Sequence, residues 1–445
     1  MAAVIIITLL FLAGGPAAAQ TVNDPLTLNL SEAVHLAIAS HPDVGKARAG
    51  ADALKGKIKE VRSQALPEAT IGSSFMRWRD PSLLNASGID KWPEEFRNAL
   101  IPVPVNLYEY SISVKQPLYT AGKVGTALRL ASIEAEGALT EIDRAQQDLA
   151  LNVTRAFYGM IWAERYLALV EETQRQTVEH ARMARNRFEN GVATEVDALR
   201  SEVAVANGQP DVTRARNAIK QARAQLNYYL VRPIDAVLTL QGDFEEKPWE
   251  SWDLEDLARE ALRRRPELIR LRIAERSSAA QLDLARAESK MRVDMAASFG
   301  MMARLPQNLV NMDYNRWTLG FNFSLPVFDG FRRAGLVEQA VAGQRSTRLE
   351  RENSEQQVRL ALQQGLDEIA TARETVLAAR ANVGQAEKVL SMMQNNYKWG
   401  AATTLDILDA QTALSQARSN LLRGLHGYTV ARAYLRWSMG MTPWE

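Results

Sequence analysis

The sequence predicts a mixed α/β membrane chain, built as an internal tandem duplication, whose amphipathic strands join an oligomeric β-barrel and whose long helices pack side by side. Three observations predict it. The chain repeats itself at fixed offsets, it contains strands that alternate strictly between apolar and polar residues, and it carries two very long proline-free helical tracts.

The repeat is most visible in two phrases, RFENGVATEVDAL from Arg187 and NYKWGAATTLDIL from Asn396, in which Gly191 matches Gly400, an offset of 209. Pro117 with Pro326, Tyr119 with Phe328 and Asp197 with Asp406 keep the same offset. Earlier in the chain Pro42 matches Pro266, an offset of 224, as do Leu30 with Leu254 and Arg48 with Arg272. The first copy therefore carries 15 extra residues, the difference between the offsets, between Phe75 and Pro117. A period near 200 residues is too long for a solenoid, so each copy is a whole multi-element unit. The expected organisation is a first repeat at 20–230, a linker or equatorial element at 231–253 and a second repeat at 254–445.

The elements follow in order. Val4 to Leu12 is an apolar run followed by Gly-Gly-Pro and Ala17-Ala18-Ala19, which reads as a secretory signal over 1–19. No positive charge precedes that run, a departure that allows Met1 not to be the true start. Leu30 to Arg62 has helical spacing, with Ser31 and Glu32 at its start. A strand–loop–strand unit is expected near 68–117, with Tyr108, Tyr110, Ile112 and Val114 alternating against Glu109, Ser111, Ser113 and Lys115. Its outgoing strand, near Ala69 to Trp78, is weakly patterned. The matching unit near 291–326 alternates on both strands: Val293, Met295, Ala297, Phe299 and Met301, then Trp317, Leu319, Phe321, Phe323 and Leu325.

No proline occurs from Gly122 to Asn190 or from Val327 to Thr442, which predicts long helices at 121–190 and 330–399, tip turns at 191–193 and 400–402, and return helices after each. Roughly 70 residues of helix extend about 100 Å, longer than one core or one bilayer needs. Such helices must pack along one another. Ile142, Leu149, Val153, Phe157 and Met160 form a narrow stripe flanked by alanines, which fits a coiled-coil seam or any long antiparallel bundle. Gly208-Gln209-Pro210 is expected to kink or break the first return helix. The linker contains a short Val-Leu-Thr-Leu strand at 237–240 and an acidic Asp243-Phe244-Glu245-Glu246 segment. The extra residues of copy one, within Arg79 to Val105, read as a longer loop, and Asn85-Ala86-Ser87 within it as a chance sequon.

Composition excludes several functions. A net charge of +1 over 445 residues with 24% charged residues offers no electrostatic footprint for nucleic acid. With no cysteine there are no disulfides or thiolate metal sites. His35, His41, His180 and His426 show no metal spacing, and neither a phosphate loop nor a nucleophile elbow is present, so no enzyme, cofactor or resident metal is expected. Met301-Met302 and Met392-Met393 suggest packing rather than soft-metal cargo. Past Gln20 no apolar run is long enough for a transmembrane helix.

Strands of about ten residues, apolar on one face, fit a transmembrane barrel wall; a soluble sandwich with one wet face is the alternative. One chain offers four such strands, whereas a closed barrel needs about eight or more, because an open edge in lipid leaves backbone groups unpaired. The chain must then oligomerise, and either a dimer or a trimer would close.

Taken together, Leu-x-Glu-Ala-Val-x-Leu-Ala-Ile at 30–38 with Pro42, Gln116-Pro117-Leu118-Tyr119 with Gly122, Leu325-Pro326-Val327-Phe328-Asp329-Gly330 and both glycine turns resemble the TolC-type outer-membrane efflux protein family. The resemblance covers nearly the whole mature chain. It implies a homotrimer forming one 12-stranded barrel in outer-membrane lipid, continuous with an α-helical barrel across the periplasm. It also implies a periplasmic adaptor and an inner-membrane transporter as partners, and passive conduction rather than catalysis. The tip turns would then close the channel and meet the adaptor, through Gly191, Thr194, Gly400 and Thr403.

At those tips, capping explains part of the motif: Thr194 with Asp197 and Thr403 with Asp406. It does not explain Asp409, which has Arg200 at the matching place in copy one. By resemblance, Asp406 and Asp409 form a charged constriction that would favour cations and raise some carboxylate pKa values by mutual repulsion. Tyr397 and Asp197 match two residues that lock the closed state, while Ala402 stands where the family has the locking arginine. Two other functions stay open: the outer-membrane duct of a type I protein secretion system, and a non-conducting periplasmic coiled-coil scaffold.

Overall fold

The computed structural model describes residues 26–79, 91–99, 104–244 and 253–444. The expected signal at 1–19, the Asn85 sequon and Glu245-Glu246 lie outside them. In chain order the elements are β1 (Leu26–Leu28), α1 (Leu30–Ser40), α2 (Pro42–Ser63), β2 (Glu68–Trp78), α3 (Glu94–Ala99), β3 (Val105–Tyr119), α4 (Lys123–Glu189) and α5 (Glu195–Tyr229). There follow β4 (Leu238–Leu240), α6 (Leu254–Arg264), α7 (Pro266–Ala287), β5 (Arg292–Ala303), β6 (Asn315–Ser324), α8 (Arg332–Lys398) and α9 (Thr404–Ser438). Helix lengths of 11, 22, 67 and 35 residues occur in α1, α2, α4 and α5 and recur in that order in α6, α7, α8 and α9. Among the described residues no helix is long and apolar enough to cross a membrane.

The chain divides into two compact units. The first comprises Met1–Ala47, Glu141–Leu268 and Ser354–Glu445. Its core gathers Val34, Val44, Leu149, Val153, Phe157, Met160, Leu226 and Leu238, so most of the stripe read from the sequence is buried. β1 pairs in parallel with β4, Leu26 opposite Leu238, which ties the linker to the start of the chain.

The single helix expected over Leu30 to Arg62 is broken at His41. Pro42 forbids helical backbone in the residue before it, and His41 is extended at φ −70° and ψ 133°. The start of α1 also differs from expectation. Asn29 is the N-cap, in a capping box with Glu32, each contact 2.9 Å. Arg265 precedes Pro266 in the same way and is likewise extended. Both pre-proline side chains are buried against an aromatic ring of a return helix. His41 lies edge-on to Tyr228 at 5.9 Å, and the Arg265 guanidinium sits 4.5 Å above Trp437, whose indole N–H donates to Asp148 at 3.0 Å.

The kink or break expected at Pro210 does not end the helix: α5 runs unbroken through it. Interior proline costs about 3 kcal/mol; Ala198, Ser201, Val212, Ala215 and Leu226 are buried on either side of it. Gly208 lets α4 approach: the Gln174 amide donates to the Val205 carbonyl at 2.9 Å, in the turn that the proline disturbs. A Cβ on Gly208 would lie 2.0 Å from Gln174 Oε1.

The second unit comprises Arg48–Thr140 and Ile269–Asn353. Its sheet has the order β2-β3-β5-β6, with every pair antiparallel. The register places Ile71 opposite Ile112, Ile112 opposite Phe299 and Phe299 opposite Trp317, so one face carries apolar residues from all four strands. Thr70, Ser113, Ser298 and Thr318 form a row on the other face, with the outer pairs joined at 2.7 Å. The alternation read from copy two is thus a true two-faced sheet, and β2, weakly patterned as a sequence, is a full strand in it. The apolar face is uncovered: Ile71 is 83% exposed and Phe323 70%. Among the described residues β2 and β6 each have one edge without a partner strand. The sheet feeds helices through residues at positive φ, Ala121 and Gly122 before α4, Gly330 and Phe331 before α8. Within this unit Ile133 packs on Ile273 and Ala280, flanked by ion pairs Arg129–Asp283 and Arg276–Glu136.

Replacing a helical glycine with alanine stabilises by about 0.5–1 kcal/mol where the site is open. Gly384→Ala, with no atom within 4 Å of its new Cβ, is expected to raise the thermal midpoint followed by circular dichroism. Gly208→Ala is expected to give no such gain, because it displaces Gln174.

Candidate functional site at the hairpin tips

The long helices turn back at Gly191 and Gly400, and the two turns share one construction. Each glycine lies in the left-handed region, φ 72° and 75°, which only glycine enters without steric cost. The amides of Gly191 and Val192 donate to the carbonyls of Phe188 and Arg187 at 2.9 and 2.8 Å. Those of Gly400 and Ala401 donate to Tyr397 and Asn396 at 3.2 and 2.8 Å. These double bonds close the ends of α4 and α8.

The next helices start from capping boxes. Thr194 Oγ1 accepts the Asp197 amide at 3.2 Å and donates to Asp197 Oδ2 at 2.6 Å. Thr403 Oγ1 accepts the Asp406 amide at 3.3 Å, while Asp406 Oδ2 receives both the Thr403 amide and hydroxyl at 2.7 Å. These bonds from the Thr403 backbone and then its side chain hold the Asp406 carboxyl below the usual carboxylate range. Within one chain the shift thus runs opposite to the increase expected from a ring of like charges. Asp406 and Asp409 are both exposed, one turn apart on α9.

Tyr397, by contrast, is buried. Its hydroxyl lies 3.3 Å from Thr404 Oγ1, and Asp197 is engaged by Thr194, so within the chain the expected Tyr397–Asp197 contact does not form. Three residues that sequence reasoning missed complete this site. Arg187 Nη1 donates to the Tyr397 carbonyl at 2.9 Å, and its guanidinium lies 4.5 Å above the Tyr397 ring. His180 packs edge-on to the same ring at 5.4 Å. Thr404 is the third. The available signal was asymmetry between the copies, since Asn396 stands where Arg187 would recur. Below the turn Leu390, Ile407, Ala410 and Leu414 form a small core, with Met393 and Ala402 against it. Met392 is exposed, so that methionine pair does not converge. Among the described residues no three acidic or histidine side chains gather as a metal site.

A one-sided apolar sheet with open edges, together with long helical hairpins closed at glycine turns, is the fold of TolC-like channels. The chain belongs to the outer membrane efflux protein family, whose model matches it twice, at residues 33–230 and 257–441. It is 24% identical over 432 residues to the outer membrane protein TolC of Escherichia coli, covering 93% of this chain and 82% of that protein. It is 23% identical over 431 residues to the alkaline protease secretion protein AprF of Pseudomonas aeruginosa, covering 94% and 85%. A membrane protein of known crystal structure from Pseudomonas aeruginosa shares the fold with a TM-score of 0.80 at 20% identity, over 94% of this chain and 91% of that one. The family is one of channels, and this chain is an outer-membrane channel protein that extends into the periplasm.

Burial holds the His180 and His426 imidazoles below the ordinary value of 6.5. The unfolded chain then binds these protons first, so their contribution to stability is complete above about pH 6.5 and is lost as pH falls from there toward the folded values. The thermal midpoint is expected to drop between about pH 7 and about pH 5, and His180→Gln should flatten that slope.

Proposed function

We propose that three copies of the chain form one 12-stranded barrel in the outer membrane and one helical duct in the periplasm. Through this duct an inner-membrane transporter expels its substrates by way of a periplasmic adaptor. The observation that carries this reading is the sheet: an uncovered apolar face and, among the described residues, two edges without a partner strand, which lipid and the strands of further copies would satisfy. The matching helix lengths of the two halves, and the two matches to one family, support an origin by tandem duplication, which makes each copy supply two hairpins to a quasi-sixfold ring.

The tips form the periplasmic gate. Three chains bring Asp406 and Asp409 to a common axis as a ring of six carboxylates, attracting cations and bound by polyvalent ones. Asp406 suits this role because its cap keeps it ionised. Asp197 and Tyr397 hold the flanking helices, and the turns at Gly191, Thr194, Gly400 and Thr403 meet the adaptor. No reaction is catalysed, no cofactor or resident metal is used, and nucleic acid is not a partner. Protein secretion is a second cargo for the same duct, favoured by the likeness to AprF over nearly the whole chain. A soluble scaffold would leave the apolar sheet face in water.

Two measurements test the reading. In planar lipid bilayers, a trivalent cation such as hexamminecobalt is expected to block the channel, and Asp406→Ala with Asp409→Ala to weaken that block by about tenfold or more; unchanged block would remove these residues from the gate. Phe321→Arg, on the apolar face, should cost about 2–4 kcal/mol in lipid and abolish the heat-modifiable species in the outer-membrane fraction. Asn322→Arg, on the opposite face, should preserve it.

A further inference from the structure

Arg187 lies in the last turn of α4, yet its described side-chain contacts are to the end of another helix. The Tyr397 carbonyl that accepts from Nη1 at 2.9 Å belongs to the last turn of α8 and already accepts the Gly400 amide at 3.2 Å. A cation at a helix C-terminus is favoured by the partial negative charge of the terminal carbonyls. The same guanidinium covers the Tyr397 ring at 4.5 Å, a cation–π contact strengthened by burial, since Tyr397 is only 9% exposed. Beyond the ring the Tyr397 hydroxyl reaches Thr404, the first residue of α9, 3.3 Å away and also buried. One side chain of the first tip hairpin therefore holds α8 directly and reaches α9 through Tyr397. The arrangement runs one way only, because Asn396 occupies the matching place on α8.

We propose that Arg187 is the latch that fixes the second tip hairpin to the first within each chain and so positions Asp406 and Asp409. Thr404 lies between the Thr403 cap and Asp406, so releasing Tyr397 frees the first turn of α9, which carries the carboxylates. Arg187 is a positioning residue: it touches neither cargo nor the axis and acts through Tyr397. The guanidinium is specifically suited, because lysine can reach the carbonyl but cannot lie flat on the ring.

This inference rests on the gate reading above, and two readouts separate their failures. Amide hydrogen exchange in detergent, measured over residues 399–406, reports the latch whether or not the protein conducts. Arg187→Ala is expected to speed exchange there about tenfold while leaving the core of α4 protected. Arg187→Lys and Tyr397→Phe, which each keep part of the contact, should fall between it and the unaltered protein, and they carry the test if Arg187→Ala fails to assemble. Unchanged exchange at the tip in all three variants would overturn the latch. In planar bilayers Arg187→Ala should raise single-channel conductance several-fold. Faster exchange with unaltered conductance in an otherwise conducting trimer would show that Arg187 does not act on the gate. Faster exchange in a protein whose unaltered form makes no channels would uphold the latch and reject the duct.

Discussion

The edges of β2 and β6, which have no partner strand among the described residues, constrain everything else in this chain. A four-stranded sheet with an apolar face cannot stand alone in water, where that face is uncovered, or in lipid, where its edges are unpaired. Closure by further copies, as proposed, would meet both demands at once. The two faces of the sheet differ accordingly: one is apolar, and the other carries the small, hydroxyl-bearing row Thr70, Ser113, Ser298 and Thr318. The hydroxyl-bearing face also carries charges of both signs, among them Glu109 and Lys115 on β3, Asp294 on β5 and Arg316 on β6.

In the helical unit the chain solves one problem twice with different chemistry. Each copy must bend before a proline, which strips the preceding residue of helical backbone, and each covers that residue with an aromatic ring from its own return helix. Copy one uses an imidazole against Tyr228; copy two uses a guanidinium against Trp437, with Glu267 and Asp148 nearby. Burial pulls the Arg265 pKa down, and the carboxylates oppose that pull. The position is shared and the side chain is free to vary, because what the bend requires is a flat partner over an extended residue rather than a particular charge. The tips follow the same logic. Both are closed by glycine and capped by threonine and aspartate, but only the second is gripped from outside by Arg187.

Much of this was legible in the sequence. Strict alternation located β3, β5 and β6, absence of proline located α4 and α8, and glycine followed by threonine located the tips to within a residue or two. β2 was faint because Gly72, Ser73 and Ser74 carry no hydrophobic signal, and its strand is fixed by pairing with β3 along its whole length. Proline was an incomplete guide: α5 is not broken at Pro210, whereas the helix read over Leu30 to Arg62 does break before Pro42. Pairwise contacts across hairpins were beyond reach. Nothing in a linear chain says that Arg187 faces Tyr397 rather than solvent. The capping role of Asp406 was legible, yet its consequence, a carboxyl held ionised before any neighbouring chain is considered, needed the geometry.

The equal helix lengths have a consequence for how such a chain can change over time. Each of α4 and α8 has 67 residues and each return helix 35, so the two hairpins of a chain form a matched pair of rulers. Adding a single residue to one of them would rotate every side chain beyond it by about 100° and leave its tip out of step with its twin. Substitution is therefore the open route for evolution along the helices, and changes in length must arrive in both halves together. The connection between β2 and β3 escapes this rule, and it is there that copy one keeps its extra residues.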